Sequence, residues 1–419
     1  SPVLDKKVPG VLQVVLVDRI VHDPLQITFI VTYFGFPAEY RIVHVGKIGG
    51  VVICPQAKGI SEIGLAHLFY RSILVGQPGC RAFAHNSNTH TMTDQAPWIT
   101  YRPELRVLDC TIRDGGLIND SQFSDEQVKA VYQACVAAGI DYMEIGYKNS
   151  PEVFPTSKYG PWRHCHEEDM RRVVGDHSFK KTGLKLCAMA DAGGKSDWKN
   201  QIIPRKDSVL DMIRVACYVH QIEDAKEMIQ YCHELGYETC LNIMAISVAS
   251  EAEINEALEL GAKTPAEVVV VVDSFGNLYR EQVDYLVKKY MAAMEGTGKE
   301  IGMHAHNNLQ LAFANTIEAI ILGSNRVDAT MMGLGRGAGN CPMELLLGFL
   351  RNPKFKLRPV LDCIQNTILP MREQYDWGPS IPYNISGQMN RHPRSAMAWR
   401  AGDSPDDYTA FYDQTLADV

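Results

Sequence analysis

Leu108-Asp109-Cys110-Thr111-Ile112-Arg113-Asp114-Gly115-Gly116 runs from apolar and β-branched residues into an adjacent cation and carboxylate, then into two glycines. Such a stretch reads as a strand that delivers charged side chains to the mouth of a parallel barrel and must then turn sharply. Taken by itself, a surface ion pair at a strand end explains it equally well. A second stretch, Gly302-Met303-His304-Ala305-His306-Asn307-Asn308, favours the barrel mouth. Side chains two apart on a strand point the same way, so His304 and His306 can reach one metal ion.

Between and around these stretches a period appears. Strands are expected at 106–112, 141–147, 183–190, 211–218, 238–246, 266–273, 300–306 and 326–332, most of them followed by a helix-like segment. Ser124 with Gln127 three residues on is a capping box that starts the first helix, and Gly139 stops it. Ser250 and Glu253 repeat the start signal, and Gly261 is the expected stop. The run Glu267-Val268-Val269-Val270-Val271-Val272-Asp273 has the continuous apolar character of a strand buried on both faces, as parallel sheets require. Eight such units over about 245 residues match the usual ~250 of a (β/α)8 TIM barrel. An open doubly-wound sheet is the runner-up, weakened because no GxGxxG follows the first strand.

The expected organisation is therefore an N-terminal extension (1–100), a TIM-barrel catalytic domain (101–350) and a partly helical C-terminal region (351–419). Within the extension, 11–17 and 51–54 read as strands, 64–70 as a helix and 84–91 as a polar linker. His67, His85 and His90 lie there without any spacing that would organise a site.

Of 419 residues, 46% are hydrophobic and 21% charged, the balance of an ordinary globular protein. A net charge of −8 gives no electrostatic footprint for nucleic acid. No run approaches the ~18 uninterrupted apolar residues that a membrane span needs. The eleven cysteines form no CxxC pair, and Cys110, Cys187, Cys217 and Cys240 fall in apolar strands. That pattern fits reduced thiols and a cytoplasmic protein.

In a barrel the site is lined by polar residues at the C-terminal strand ends. Those ends supply Arg113, Asp114, Glu144, Arg214, Asp273, Ser274, His304 and His306, with Asn340 in the loop after the last strand. One carboxylate with two imidazoles suits a divalent ion such as Mn2+, Co2+ or Zn2+ and leaves positions open for substrate. A metal so held can act as a Lewis acid on a 2-oxo acid and stabilise the enolate formed when a C–C bond breaks. Arg113 would meet the developing oxyanion. Glu144, costly inside a barrel unless paired, is expected to meet Arg113 or Arg214 and to orient rather than to take a proton. His164-Cys165-His166, followed by three acids, reads as a helix start whose acids suit the dipole.

LDCTIRDGG, MEIGY, VVDSFG, HAHNN and GLGRGAGN resemble, in order and spacing, the DRE-TIM metallolyases (HMG-CoA lyase-like), and within them the 4-hydroxy-2-oxovalerate aldolase branch. The resemblance covers about residues 100–350. It implies a metal-dependent aldolase acting on a pyruvate-like 2-oxo acid and an aldehyde. Asp114, His304, His306 and Asn340 would hold the metal, Mn2+ first and Mg2+, Co2+ or Zn2+ as alternatives. Arg113 would stabilise the enolate, Ser274 would meet substrate and Tyr383 would serve catalysis; from their places at the strand ends, Arg113, Arg214 and His304 are also expected to meet substrate and Glu144 to serve catalysis by orienting its partners. His392 is the alternative acid or base to Tyr383. The aldolases carry a catalytic histidine three residues after the metal aspartate; Leu117 stands there, with Asp120 as a replacement to examine. Two rival readings follow: an acyl-CoA-dependent Claisen-type synthase, disfavoured by Gly116-Leu117 where the synthases carry Glu-Gln, and a barrel that has lost its chemistry and serves as a binding or scaffold subunit. A homo-oligomer is expected, and relatives of this kind can pair with an aldehyde dehydrogenase.

Overall fold

The computed structural model describes residues 12–15, 29–35, 38–44 and 102–417. The first three segments form an antiparallel sheet of β1 (Leu12–Val15), β2 (Phe29–Gly35) and β3 (Ala38–His44), in the order β1-β2-β3. β1 falls inside the strand expected at 11–17, whereas the β2–β3 hairpin was not read from the sequence. The features expected at 51–54, 64–70 and 84–91 lie outside the described residues.

The barrel is present and closed. Its strands are β4 (Arg106–Asp109), β5 (Tyr142–Tyr147), β6 (Lys185–Asp191), β7 (Met212–Cys217), β8 (Glu238–Ile243), β9 (Val268–Asp273), β10 (Glu300–Ala305) and β11 (Arg326–Ala329). They pair in parallel in sequence order, and β11 returns to β4 through Arg326↔Arg106 to Ala329↔Asp109. Each lies within the stretch expected for it, or within a residue of it.

Strand alternation sorts the side chains. Val268, Val270 and Val272 point inward with Leu108, Cys110, Tyr142, Cys187, Met212 and Cys240. Val269 and Val271 point outward into the larger core beneath the helices, with Val107, Met143, Ile213 and Val327. The valines of β9 would bury equally well in either phase. The inward set of the neighbouring strands also holds Glu144, Arg214, His304 and Asp328, so a slip of one residue would drive charges into the helix layer. At the N-terminal end of the barrel, Glu238 accepts from Tyr142 at 2.9 Å, Lys185 at 2.6 Å and Arg326 at 3.0 Å. That network closes one end and leaves the other for function.

Two local expectations are corrected. The first strand stops at Asp109, not at 112, because the Asp109 carboxylate accepts the Thr111 N–H at 3.1 Å and hydroxyl at 2.7 Å and bends the chain. Thr111–Gly115 is then a short helical turn that carries Arg113 and Asp114. Gly261 does not end its helix but lies inside Glu251–Ala262, where a Cβ would come within 2.9 Å of Leu241 Cδ2. Both capping boxes form as expected, and Gly139 takes the left-handed φ of 73°.

After the barrel come helices at Met343–Leu350, Leu357–Cys363, Ile381–Gln388, Arg394–Arg400 and Tyr408–Ala417. No helix among the described residues is long and apolar enough to cross a membrane.

Candidate active site and metal centre

The turn Thr111–Gly115 and the end of β10 bring Asp114, His304 and His306 together. Asp114 Oδ2 lies 3.3 Å from His304 Nε2 and 3.4 Å from His306 Nε2, all three residues being buried. Each imidazole is fixed from behind. His304 Nδ1 donates to Asp328 Oδ2 at 3.0 Å, and His306 Nδ1 donates to the Asp273 carbonyl at 2.9 Å. Because Nδ1 holds the proton in both rings, each Nε2 keeps its lone pair facing the Asp114 carboxylate. Neither Nε2 nor either Asp114 oxygen has a hydrogen-bond partner.

Four buried polar atoms left without hydrogen-bond partners in one place are costly unless something joins them. The Asn340 amide oxygen is a fifth such atom. Asn340 pairs with His306 in an isolated bridge, while its Nδ2 donates to the Leu334 carbonyl at 3.1 Å. Imidazole, carboxylate and amide oxygen in this arrangement fit a divalent cation. Cys110 and Asp328 also approach His304. On that side, however, Nδ1 is bonded to Asp328, whose charge Arg214 offsets at 2.6 Å. The open face of His304 is therefore Nε2.

Two glycines let the backbone close around the histidines. Gly276 (φ 57°), in the turn after β9, would place a Cβ 2.5 Å from Asn308 N and 2.9 Å from the His306 carbonyl carbon. Gly339 (φ 83°) would place one 2.0 Å from the Gly333 carbonyl oxygen. Neither position accepts a side chain.

The charges beneath are paired in a chain. Arg113 Nε donates to Glu144 Oε2 at 2.6 Å, and Arg113 Nη1 lies 3.3 Å from Asp114 Oδ1. Arg214 donates to Glu144 Oε2 at 3.0 Å and to Asn242 Oδ1 at 2.9 Å. Glu144 therefore meets both arginines. Burial pushes the Asp114 carboxyl up, but Arg113 and the two imidazoles outweigh it and hold the group well below the usual carboxylate range. Burial works against the Arg113 charge too, and Glu144 with Asp114 more than offsets it.

The remaining expected residues divide. Ser274 Oγ accepts the Ala245 N–H at 2.8 Å and so supports a residue at φ 51°. The Asp273 carboxylate turns away and caps the N–H groups of Asn277 at 3.0 Å and Leu278 at 3.3 Å. Arg214 is 1% exposed and held by three partners, so it lies below the mouth as a support rather than at a substrate-facing position. Tyr383 lies in the C-terminal region, on the helix Ile381–Gln388. It packs with Ala338, Ile385, Ala396 and Phe411, and its ring lies 5.1 Å from the Arg400 guanidinium. Burial pushes its hydroxyl up, with Arg400 lowering and Asp376 raising it.

His392 stands nearer the centre, its ring 5.5 Å from that of Phe275. Burial, Arg336, Arg394 and His306 push it down to about 3, so it stays neutral. Leu117 packs with Tyr147, Met189 and Ala216. Asp120 faces Lys158 at 4.0 Å. His164 donates from Nδ1 to the Asn149 carbonyl at 2.8 Å, and His166 precedes the helix Glu167–Val174 without a side-chain capping bond.

Sequence reading missed Asp328 and Asn242. Alternation within β11, with Val327 outward, was the signal for the first; Asn242 had the same signal in β8.

The HMGL-like family profile matches residues 214–365. A 4-hydroxy-2-oxovalerate aldolase of Bacillus cereus is 30% identical over 263 residues, spanning 60% of this chain and 71% of that protein. An oxaloacetate decarboxylase of Mycobacterium tuberculosis is 28% identical over 254 residues, with 60% and 71% covered. Among solved structures, the N-terminal domain of a candidate aldolase from Bacteroides vulgatus superposes with a TM-score of 0.60 at 28% identity, covering 73% of this chain and all of that one. The chain belongs to the HMGL-like family, the DRE-TIM metallolyases, which are divalent-metal-dependent carbon–carbon lyases.

Proposed function

We propose that the enzyme breaks, or in reverse forms, the C3–C4 bond of a 4-hydroxy-2-oxo acid through the enolate of a pyruvate-like product. The observation that carries this is the convergence of unpartnered Asp114, His304 and His306 atoms beside Arg113. In this reading Asp114, His304 and His306 hold the cation, with Asn340 as a fourth donor. Mn2+ is the ion we favour, and Mg2+, Co2+ or Zn2+ suit the same donors to different degrees. When bound, it supplies Lewis-acid polarisation of the 2-oxo group.

The chain's own residues do the rest. Glu144 fixes Arg113 through Nε, leaving the other guanidinium N–H groups for the oxygen on which enolate charge develops. Cleavage passes the C4 hydroxyl proton to water, breaks C3–C4, releases an aldehyde and leaves the electron pair in the C2–C3 enolate, which takes a proton back from water at C3. Arg214 and Asp328 act through Glu144 and His304. The intact centre and the family's lyase chemistry set aside the scaffold reading. Free, buried cysteines support a reducing, cytoplasmic setting.

A second reading is favoured by Leu117. Loss of CO2 from a 3-carboxy-2-oxo acid yields the same enolate with no proton to abstract, so Leu117, which cannot take a proton, is no obstacle to it. Pyruvate release from 4-hydroxy-2-oxovalerate and from oxaloacetate, assayed in parallel with Mn2+ and after chelation, tests both. Metal-dependent release that is lost in Asp114→Asn supports the enolate reading, and the preferred substrate selects between aldehyde and CO2. Metal-independent release from both contradicts it.

A further inference from the structure

Arg336 occupies the loop 333–340, which is tied at both ends to the candidate metal centre. Asn340 bridges to His306, and the Asn307 N–H donates to the Gly339 carbonyl at 2.9 Å. At the other end Leu334 lies against Gly115, the neighbour of Asp114. The groups that act on the Arg336 guanidinium are Asp114, Tyr147, Arg394 and Tyr218, and it acts in turn on His306 and His392. It therefore lies within electrostatic reach of Asp114, His306 and His392, on a loop fixed to the centre at both ends.

Its charge is unmatched. Arg113 and Arg214 spend theirs on Glu144, Asp114 and Asp328. Arg163 rests on aromatic faces, 4.4 Å from the Tyr147 ring centroid and 4.1 Å from that of Phe154. Among the described residues, Arg336 has neither a carboxylate at ion-pair distance nor a ring, and its buried Nε has no acceptor. A half-buried guanidinium whose Nε is shut off from water without an acceptor is costly, and its fork matches a carboxylate or phosphate. Two more cations stand nearby: Arg394, which is exposed, and Lys195, 5.6 Å from the Tyr218 ring centroid. Of the carboxylates at the mouth, Asp114 belongs to the metal set, and Asp191 accepts from Asn149 at 3.0 Å. This concentration of cations runs against the chain's net charge of −8.

We propose that Arg336 binds a second anionic group, a carboxylate or phosphate, on the part of the substrate distal to the enolate, so that the aldehyde released or taken up is itself an anion. This rests on the 2-oxo acid reading above.

The test uses the full-length Mn2+-loaded enzyme with pyruvate as donor and two matched pairs of acceptor: succinic semialdehyde against butanal, and glyceraldehyde 3-phosphate against glyceraldehyde. The expected result is that the charged member of one pair is preferred at least tenfold in kcat/KM. That preference should fall towards unity in Arg336→Gln and be largely kept in Arg336→Lys, with unchanged melting behaviour. The pair that responds identifies carboxylate or phosphate. Equal use of charged and neutral acceptors, or a preference that survives Arg336→Gln, overturns the proposal. If pyruvate shows no enolate chemistry at all, the 2-oxo acid reading fails separately. Calorimetric titration with inorganic phosphate and with succinate then decides for Arg336: binding to wild type that is lost in Arg336→Gln supports the anion site, and equal binding or none contradicts it.

Discussion

Asp328→Asn is a stringent perturbation of the centre because Asp328 touches no reacting atom and acts only through its neighbours. Its Oδ2 accepts from His304 Nδ1 at 3.0 Å and from Arg214 Nη2 at 2.6 Å. Asparagine keeps the shape and can place its single oxygen where Oδ2 lies, so both donors keep an acceptor, but that oxygen carries no charge. Each bond then falls from the ~1.5–3 kcal/mol of a charged acceptor towards the ~0.5–1.5 kcal/mol of a neutral one. On the His304 side, the weaker bond holds the ring and its Nδ1 proton less firmly, and a proton on Nε2 would block the nitrogen meant for the cation. Outer-shell changes of this kind typically weaken metal affinity ~10–100-fold. The assay is titration with Mn2+, following the electron paramagnetic resonance signal of the free ion. Asp328→Asn should raise Kd within that range. Asp273→Asn should leave it near wild type, because His306 is held by the Asp273 carbonyl and not by its carboxylate. A folded Asp328→Asn protein that binds Mn2+ as tightly as wild type refutes the reasoning.

Glu144→Gln should fold, lower the melting temperature and cut the rate ~10²–10³-fold, as expected when a preorganised oxyanion donor such as Arg113 is released; kinetics and thermal melts read both effects. Asp109, pushed up to about 7 chiefly by burial, binds a proton in the folded state that the unfolded chain has released above its usual range near 4. Stability from this group is therefore present at low pH and lost as pH rises from about 4 to 7, with a slope of up to ~1.4 kcal/mol per unit. Asp109→Asn should flatten the fall in melting temperature between pH 5 and 7. A chain beginning at Thr100 should unfold cooperatively and bind Mn2+, since the barrel closes through its own strands; a broad, uncooperative melt contradicts that.

The barrel was legible because its signals are local and repeated. Valines of β9, capping serines at 124 and 250, and a left-handed Gly139 each report their own neighbourhood. Asp114, His304 and His306 were legible because a pair two apart on a strand declares a shared direction. What stayed hidden depends on which residues the closed sheet brings face to face. Asp328 is more than twenty residues from His304 in sequence and is one strand away in space, so only the register of β11 reveals it. The bend at Asp109 turns on its own side chain capping Thr111, a contact that overrides the β propensity of Thr111 and Ile112. Tyr383 was read from the resemblance of its segment to the aldolases, and its packing against Ala338, Ile385, Ala396 and Phe411 depends on the C-terminal helices, which no local pattern reports.

The most direct test of the central claim is exchange of the pyruvate methyl protons with deuterated solvent, followed by NMR. It needs neither the acceptor nor the physiological direction. Mn2+-loaded protein should catalyse the exchange, chelation should stop it, and Arg113→Ala and Asp114→Asn should abolish it. Metal-loaded protein that leaves the methyl protons in place, or exchange that persists without metal, contradicts an enolate formed at Asp114, His304 and His306.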